Sequence, residues 1–441
     1  MSRRAVELQT ASIPIARIHR LVRRPLETLD AVLTGRDLVR LRLGPKTVYL
    51  VNEPDLIAEV LGGDRAVFAR QGIERTTERL LAGDSVATLD GDAHSRRWEI
   101  VEAVFTGGAS EVAVQRILAC ARQASERWRD GSQVHLEREM ARLTDDVMCS
   151  LTFGDDAEAL AAPTSRLIAL SRQVALRAAN PIAPLLWRLP LPVNRRFRDA
   201  YTAFRDAVSE LIVRRRAAAT PGDDLLGRLI AARSPGGESL TDIQIRDEAW
   251  TYVAQGAPTY ALLWAWWMLA RNPHAAGAVH AELDALGDGP VTAEDLPRLE
   301  QTRAFVLETL RLFPTSLGAL RRTGRPAELG GVSVPPERLV LISYWTTQRD
   351  GRYWPEPTRF ELGRWLGRGE REHGGVYLPF SAGHRRCPAR SLSMTMLTLV
   401  VATLAKAWEA EPLRASVSLG VVPFIHPRGG LRARLKSRRA G

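Results

Sequence analysis

Residues 380–390 read FSAGHRRCPAR, a glycine-bearing, arginine-rich loop with one cysteine, and the apolar stretch SLSMTMLTLVVATLAKAW follows directly. That stretch has the length and composition of a buried helix. Pro388 suits a first helical turn, where its missing N–H costs nothing. Cys387 is therefore expected beside a helix N-terminus, where free amides and the dipole favour an anion. A thiolate needs such support to bind iron or to act as a nucleophile. Gly383 permits a tight turn, and Arg385 offers a planar fork to a carboxylate. By these residues alone, Cys387 is equally well a buried structural thiol at a loop-to-helix junction.

The chain has three cysteines in 441 residues, Cys120, Cys149 and Cys387. They are too few and too scattered for a disulfide framework or a zinc cluster, which favours a reducing compartment. The N-terminal segment MSRRAVELQTASIPIARIHRLVRR is basic, without an apolar run of signal-peptide or membrane-spanning length. A cytoplasmic protein without a membrane anchor is expected. The net charge of +11 is carried almost wholly by arginine. Those arginines are spread along amphipathic segments with no nucleic-acid-binding motif, so a basic face that docks an acidic protein fits better than nucleic acid.

Helical periodicity dominates, with β-prone segments near each end. DLVRLRLGPKTVYLVNEP (37–54) alternates apolar and polar residues on both sides of Gly44-Pro45, predicting a hairpin. AELGGVSVPPERLVLISYW (327–345) and SLGVVPFIHPRGGLRARL (418–435) are the other β-prone patches, and helical runs fill about 93–410. Without repeats or a long linker, the sequence predicts a mainly α chain with small β-sheets at its edge, folded as a single domain over 1–441.

The order of three motifs carries a resemblance. Phe380-Ser-Ala-Gly383-His-Arg385-Arg-Cys387-Pro-Ala389 resembles the haem-binding loop FxxGxRxCxG of the cytochrome P450 superfamily, with Ala389 where that family usually has glycine. Upstream, ETLR is similar to its ExxR pair, as Glu308 and Arg311, and PTRF (357–360) is similar to its PERF element, whose Arg359 would complete a Glu-Arg-Arg network. DGDAHSRRWEIVEAVF (90–105) is similar to the family's C-helix, with His94 at a haem-propionate position. Trp98 stands where a second basic residue is common, so Arg96 or Arg97 would substitute. Arg321 matches a second propionate contact.

The resemblance implies a cytochrome P450 fold, with haem b between a distal helix and the proximal cysteine loop. Cys387 would be the iron ligand and Phe380, Gly383, Arg385, His94, Arg321 and Ala254 the cofactor contacts. A thiolate ligand pushes electron density toward O–O cleavage. The implied activity is monooxygenation of a hydrophobic small molecule, with electrons from a ferredoxin and its ferredoxin reductase, and a monomer is expected. The distal helix departs from the family's AGxET pattern. Counting back from WAWWMLARNP (264–273) puts Ala254 on the glycine, Gly256 on the acid and Ala257 on the threonine. Thr259 reaches the alcohol's place only with a two-residue shift beside Pro258.

Ala254, Ala257, Pro258 and Ala261 fall on one helical face, with Trp250 one turn earlier. The pocket is expected to draw on that face, on about 68–90, on 172–197, on TSLGAL (315–320) with Leu317, and on VVPFIHP (421–427). These apolar segments fit a hydrophobic substrate, and the overall resemblance is to terpenoid-oxidising bacterial members. The missing acid and alcohol leave a second reading open. A haem-thiolate enzyme could use peroxide, or catalyse cyclisation, isomerisation or dehydration with Trp250 steadying a cation.

Overall fold

The computed structural model describes residues 6–14, 23–70, 79, 83–178, 189, 191–218, 221–367 and 370–438. Seven helices among these build the site, and they are numbered α1 to α7 in chain order. They are α1 Pro54–Gly62, α2 Gly91–Phe105, α3 Leu136–Phe153, α4 Asp242–Val253, α5 Ala257–Arg271, α6 Glu300–Leu312 and α7 Arg390–Ala407.

The hairpin expected at 37–54 forms: Leu38–Leu43 and Lys46–Val51 pair antiparallel, with Leu43 opposite Lys46 across a two-residue turn. Gly44 takes φ +59 there, which a side chain would resist. The hairpin lies in a six-stranded sheet ordered Leu8–Ile13, Leu38–Leu43, Lys46–Val51, Leu339–Ser343, Gly318–Thr323, Phe68–Ala69. Residues 327–345 supply the short hairpin Ala327–Leu329 with Val332–Val334, and then the central strand Leu339–Ser343. The C-terminal patch makes the two-residue pair Leu419–Gly420 with His426–Pro427. It then adds Arg432–Ser437, which pairs with Trp408–Pro412 and Gln133–His135 in a second sheet.

The helices pack around one large apolar cluster to which α2 through α7 all contribute. Within it α7 is buried nearly throughout, from Leu392 to Lys406. Smaller clusters fill the two faces of the six-stranded sheet.

The distal helix breaks into two. Thr241 and Gln244 start α4 with a reciprocal capping box, and α4 stops at Val253. Residues 254–256 cross as a short link, and α5 begins at Ala257 with Pro258 in its first turn. Pro258 has no N–H to give the preceding turn, and its ring clashes with a helical carbonyl four residues back, which favours the break seen here. A face counted through this segment at a constant 3.6 residues per turn therefore does not hold.

Candidate active site

A cavity of about 650 Å³ lies between α5, α7, α2 and the edge of the six-stranded sheet, and Cys387 lines it. The loop carrying Cys387 is fixed from several sides. Cys387 N–H donates to the Phe380 carbonyl at 2.8 Å and Ser381 N–H to the Leu378 carbonyl at 3.0 Å. Tyr344 Oη donates to Ser381 Oγ at 2.6 Å. Gly383 takes φ +66, and a Cβ on it would lie 2.0 Å from the Leu61 carbonyl oxygen at the end of α1. Only glycine fits this contact. Ala389, by contrast, has φ −86 and accommodates its methyl without strain.

Helix α7 begins at Arg390 with Ala389 as N-cap, so Pro388 precedes the helix instead of occupying its first turn. Burial pushes the Cys387 thiol up, and the Ala389 N–H and Arg390 only partly oppose it. The helix start thus supports a thiolate less than the sequence suggested. A cation at Sγ would favour the charged form.

The second motif is anchored in α6. Glu308 and Arg311 are fully buried and joined by two hydrogen bonds of 2.8 and 2.7 Å. The third arginine is Arg364, whose Nε lies 3.3 Å from Glu308 Oε1, with Trp365 Nε1 donating to the other oxygen at 2.9 Å. Arg359 is exposed and pairs with Glu356 and Glu361, lending the network only its carbonyl, which accepts from Arg311. The assignment of Arg359 is thereby corrected. Gln348 ties this network to the cysteine loop: its side chain donates to the carbonyls of Leu310 and Arg311 and accepts from Leu378 N–H.

The charged wall is made by Arg70, His94, Arg321 and Arg385, and among the described lining residues there is no carboxylate. Asp90 lies behind this wall, accepting from Arg385 at 2.7 Å and from the Arg70 N–H at 3.0 Å. Burial, Arg385 and Arg65 push the His94 imidazole down to about 3. Burial holds Arg321 down to about 10, and Arg385 and Arg70 add to it. Burial is the main cause for both bases and the cationic neighbours add to it, so the wall favours a ligand that brings negative charge. A flat, largely apolar group bearing two carboxylates fits it, and haem is such a group.

Arg70 escaped the sequence reading, because a lone arginine in a segment without periodicity carries no local signal. Of the two suggested substitutes for a basic residue at 98, Arg97 turns away to pair with buried Glu248 at 2.8 Å and Arg96 is exposed. Trp98 itself lines the cavity.

On the distal side, Ala257, Pro258 and Ala261 line the cavity as expected, joined by Thr251, Tyr252 and Gln255. Three assignments are corrected. Trp250 packs edge-on against Phe204 at 5.2 Å, away from the wall, and Ala254 caps α4 outside it. Leu317 turns to the apolar clusters behind the strand, while Thr315, Ser316 and Gly318 face the cavity. Thr259 is buried off the wall, and its hydroxyl has no partner among the described residues. Gly256 abuts Phe424, with 2.8 Å between an added Cβ and the ring. In the expected pocket segments, 71–78, 80–82, 179–188 and 190 lie outside the described residues.

Residues 34–418 match the family described as Cytochrome P450. Cyclooctat-9-en-7-ol 5-monooxygenase of Streptomyces melanosporofaciens is 32% identical over 400 residues, 89% of this chain and 86% of the relative. Pentalenene oxygenase of Streptomyces avermitilis is 30% identical over 433 residues, covering 96% and 95%. The crystal structure of the cytochrome P450DA heme domain superposes with a TM-score of 0.82 at 22% identity, covering 99% of each chain. Retinoic acid-bound cyanobacterial CYP120A1 superposes with 0.78 at 21%, covering 93% and 96%. With the fold, the ordered motifs and the carboxylate-poor cavity in agreement, the chain belongs to the cytochrome P450 family and takes haem b as its cofactor.

Proposed function

We propose that the protein is a monooxygenase of a hydrophobic terpenoid, with Cys387 as the iron ligand. The observation that carries the ligand assignment is a cavity with a half-buried cysteine on its wall, Arg70, His94, Arg321 and Arg385 beside it, and no carboxylate among its described lining residues. His94, Arg70, Arg321 and Arg385 would hold the two propionates, and Phe380 and Gly383 would shape the loop under the iron. Bound there, haem supplies the activation of dioxygen. The side chains of this chain do the rest. Ala257, Pro258, Ala261 and Phe424 exclude water and present an apolar wall to the substrate, while Thr251, Tyr252 and Gln255 are polar side chains on the same wall.

Relatives named for oxygenating cyclooctat-9-en-7-ol and pentalenene support the terpenoid class. A single-domain, monomeric, cytoplasmic protein fed by a ferredoxin and its reductase completes the reading. Arg386 and Arg390 lie exposed on the cysteine side, where an acidic partner would meet them. The decisive measurement is the reduced carbon-monoxide spectrum. A red-shifted thiolate band lost in Cys387→Ala supports the ligand, and a band unchanged by the substitution refutes it. Product that carries oxygen from the gas and requires electrons supports monooxygenation.

One observation favours a second reading. The positions expected for the distal acid and alcohol are Gly256, pressed on Phe424, and Ala257, an apolar part of the wall. A reaction driven by peroxide, or one that needs no oxygen, would make no demand on them. Product formed equally well without dioxygen and electrons selects that reading.

A further inference from the structure

Three buried side chains at or behind the stretch of wall lined by Val86 and Tyr252 keep a polar atom without a hydrogen-bond partner among the described residues: Ser85 Oγ, Glu248 Oε2 and Tyr252 Oη. Glu248 and Tyr252 stand one turn apart on the same face of α4. Ser85 precedes Val86, whose N–H donates to Glu248 Oε1 at 2.7 Å. Arg97 donates to that same oxygen at 2.8 Å, so both fixed contacts fall on Oε1 and Oε2 is left over. Tyr252 lines the cavity. Buried polar atoms without a protein partner are normally satisfied by ordered internal water. On the outward side Asp84 N–H donates to Asp247 Oδ2 at 3.1 Å, and the Asp84 carboxylate reaches solvent beside Arg79.

We propose that Glu248, buried water and Tyr252 form a proton path through the wall of the cavity at α4, serving in place of the acid and alcohol that Gly256 and Ala257 lack. Its use in oxygen chemistry rests on the monooxygenase reading, whereas its existence does not. Glu248 releases the proton on Oε2 to the bridging water. The water passes a proton to Tyr252 Oη, and Tyr252 releases its own phenolic proton into the cavity. Glu248 is reprotonated from the side of Asp84 and Asp247, so every group returns to its starting state. The charges suit the role. Burial pushes the Glu248 carboxyl up to about 7; Arg97 and the Val86 N–H oppose the shift, and Asp247 adds to it. Burial and then Glu248 hold the Tyr252 phenol well above its ordinary value, so it relays protons as a neutral group. The groups facing Glu248 are Arg97 from α2, the Val86 N–H from the 83–86 loop, and Asp247 and Tyr252 from α4, with Arg246 paired to Asp247.

Infrared titration of the resting haem-loaded protein tests the donor without turnover. A carboxylic C=O stretch that fades with a midpoint near about 7 and is missing in Glu248→Gln is the expected result. The absence of such a band across neutral pH overturns the path. Since Glu248→Gln leaves Arg97 buried beside a neutral group, Tyr252→Phe is the second variant, for it removes only an oxygen that has no partner. With dioxygen and electrons supplied, Tyr252→Phe is expected to lower product per electron roughly tenfold, with the loss appearing as peroxide, and to alter the solvent isotope effect. Unchanged coupling with an unchanged isotope effect also overturns the path. If the wild type turns over without oxygen or electrons, the monooxygenase reading falls and the infrared result alone decides the path.

Discussion

A methyl group on Gly383 would press into the Leu61 carbonyl from a backbone already at φ +66. Gly383→Ala is expected to cost roughly 2 kcal/mol or more, the strain adding to the clash. Urea denaturation would read that loss, and the reduced carbon-monoxide spectrum would lose its thiolate band as the loop shifts. The two arginines after α6 should separate cleanly. Arg364→Ala strips a partner from fully buried Glu308 and is expected to cost about 2–3 kcal/mol, whereas Arg359→Ala on the exposed surface should stay within about 0.5 kcal/mol. Equal effects in denaturation would contradict the assignment. His94 gives a pH signature to the haem-free protein. Its folded pKa of about 3 lies below the ordinary 6.5, so its contribution is complete above about 6.5 and is lost as pH falls toward 3. His94→Asn should flatten stability in that window, measured by denaturation at a series of pH values.

At the scale of elements, the break between α4 and α5 governs the distal wall. Gly256 leaves a notch that Phe424 fills, and Phe424 in turn faces the cavity. Gly256→Ala is expected to push the ring inward and weaken substrate binding severalfold, read from the substrate-induced spectral shift. Phe424→Ala in the same chain should restore much of it. The sequence exposed the proline but not its reach. A count without gaps runs the helix through Pro258 and so puts Trp250 and Ala254 on the wall, whereas the break rotates both away. The third arginine was ambiguous for a different reason. Arg359-Phe360 and Arg364-Trp365 are both Arg-aromatic pairs, and only the position of Glu308 in three dimensions selects the second. The hairpin at 37–54, by contrast, was legible because alternation and Gly44-Pro45 are local signals. The cysteine loop was legible because its residues are consecutive.

Across the whole molecule, the cavity sits where helices and sheet meet, lined from Arg70 to Phe424. Haem bound there stabilises the native state by mass action, about 4 kcal/mol when free haem exceeds its dissociation constant a thousandfold. Calorimetry of loaded and haem-free protein should give a clearly lower midpoint for the latter, and coincident midpoints would contradict a haem site at this cavity. What the sequence could not supply at this scale was the pairing of distant segments, such as Arg70 and Arg385, which both donate to Asp90.

The contact between Gly383 and the end of α1 also bears on how the protein is made. Leu61 leaves the ribosome more than three hundred residues before Cys387. The sheet edge and α1 must therefore wait, without their cofactor, for nearly the entire chain to be synthesised before the loop can seat on them. Haem capture is then a late step of biogenesis, and a chain that ends before Gly383 should accumulate without colour, however well its first half has folded.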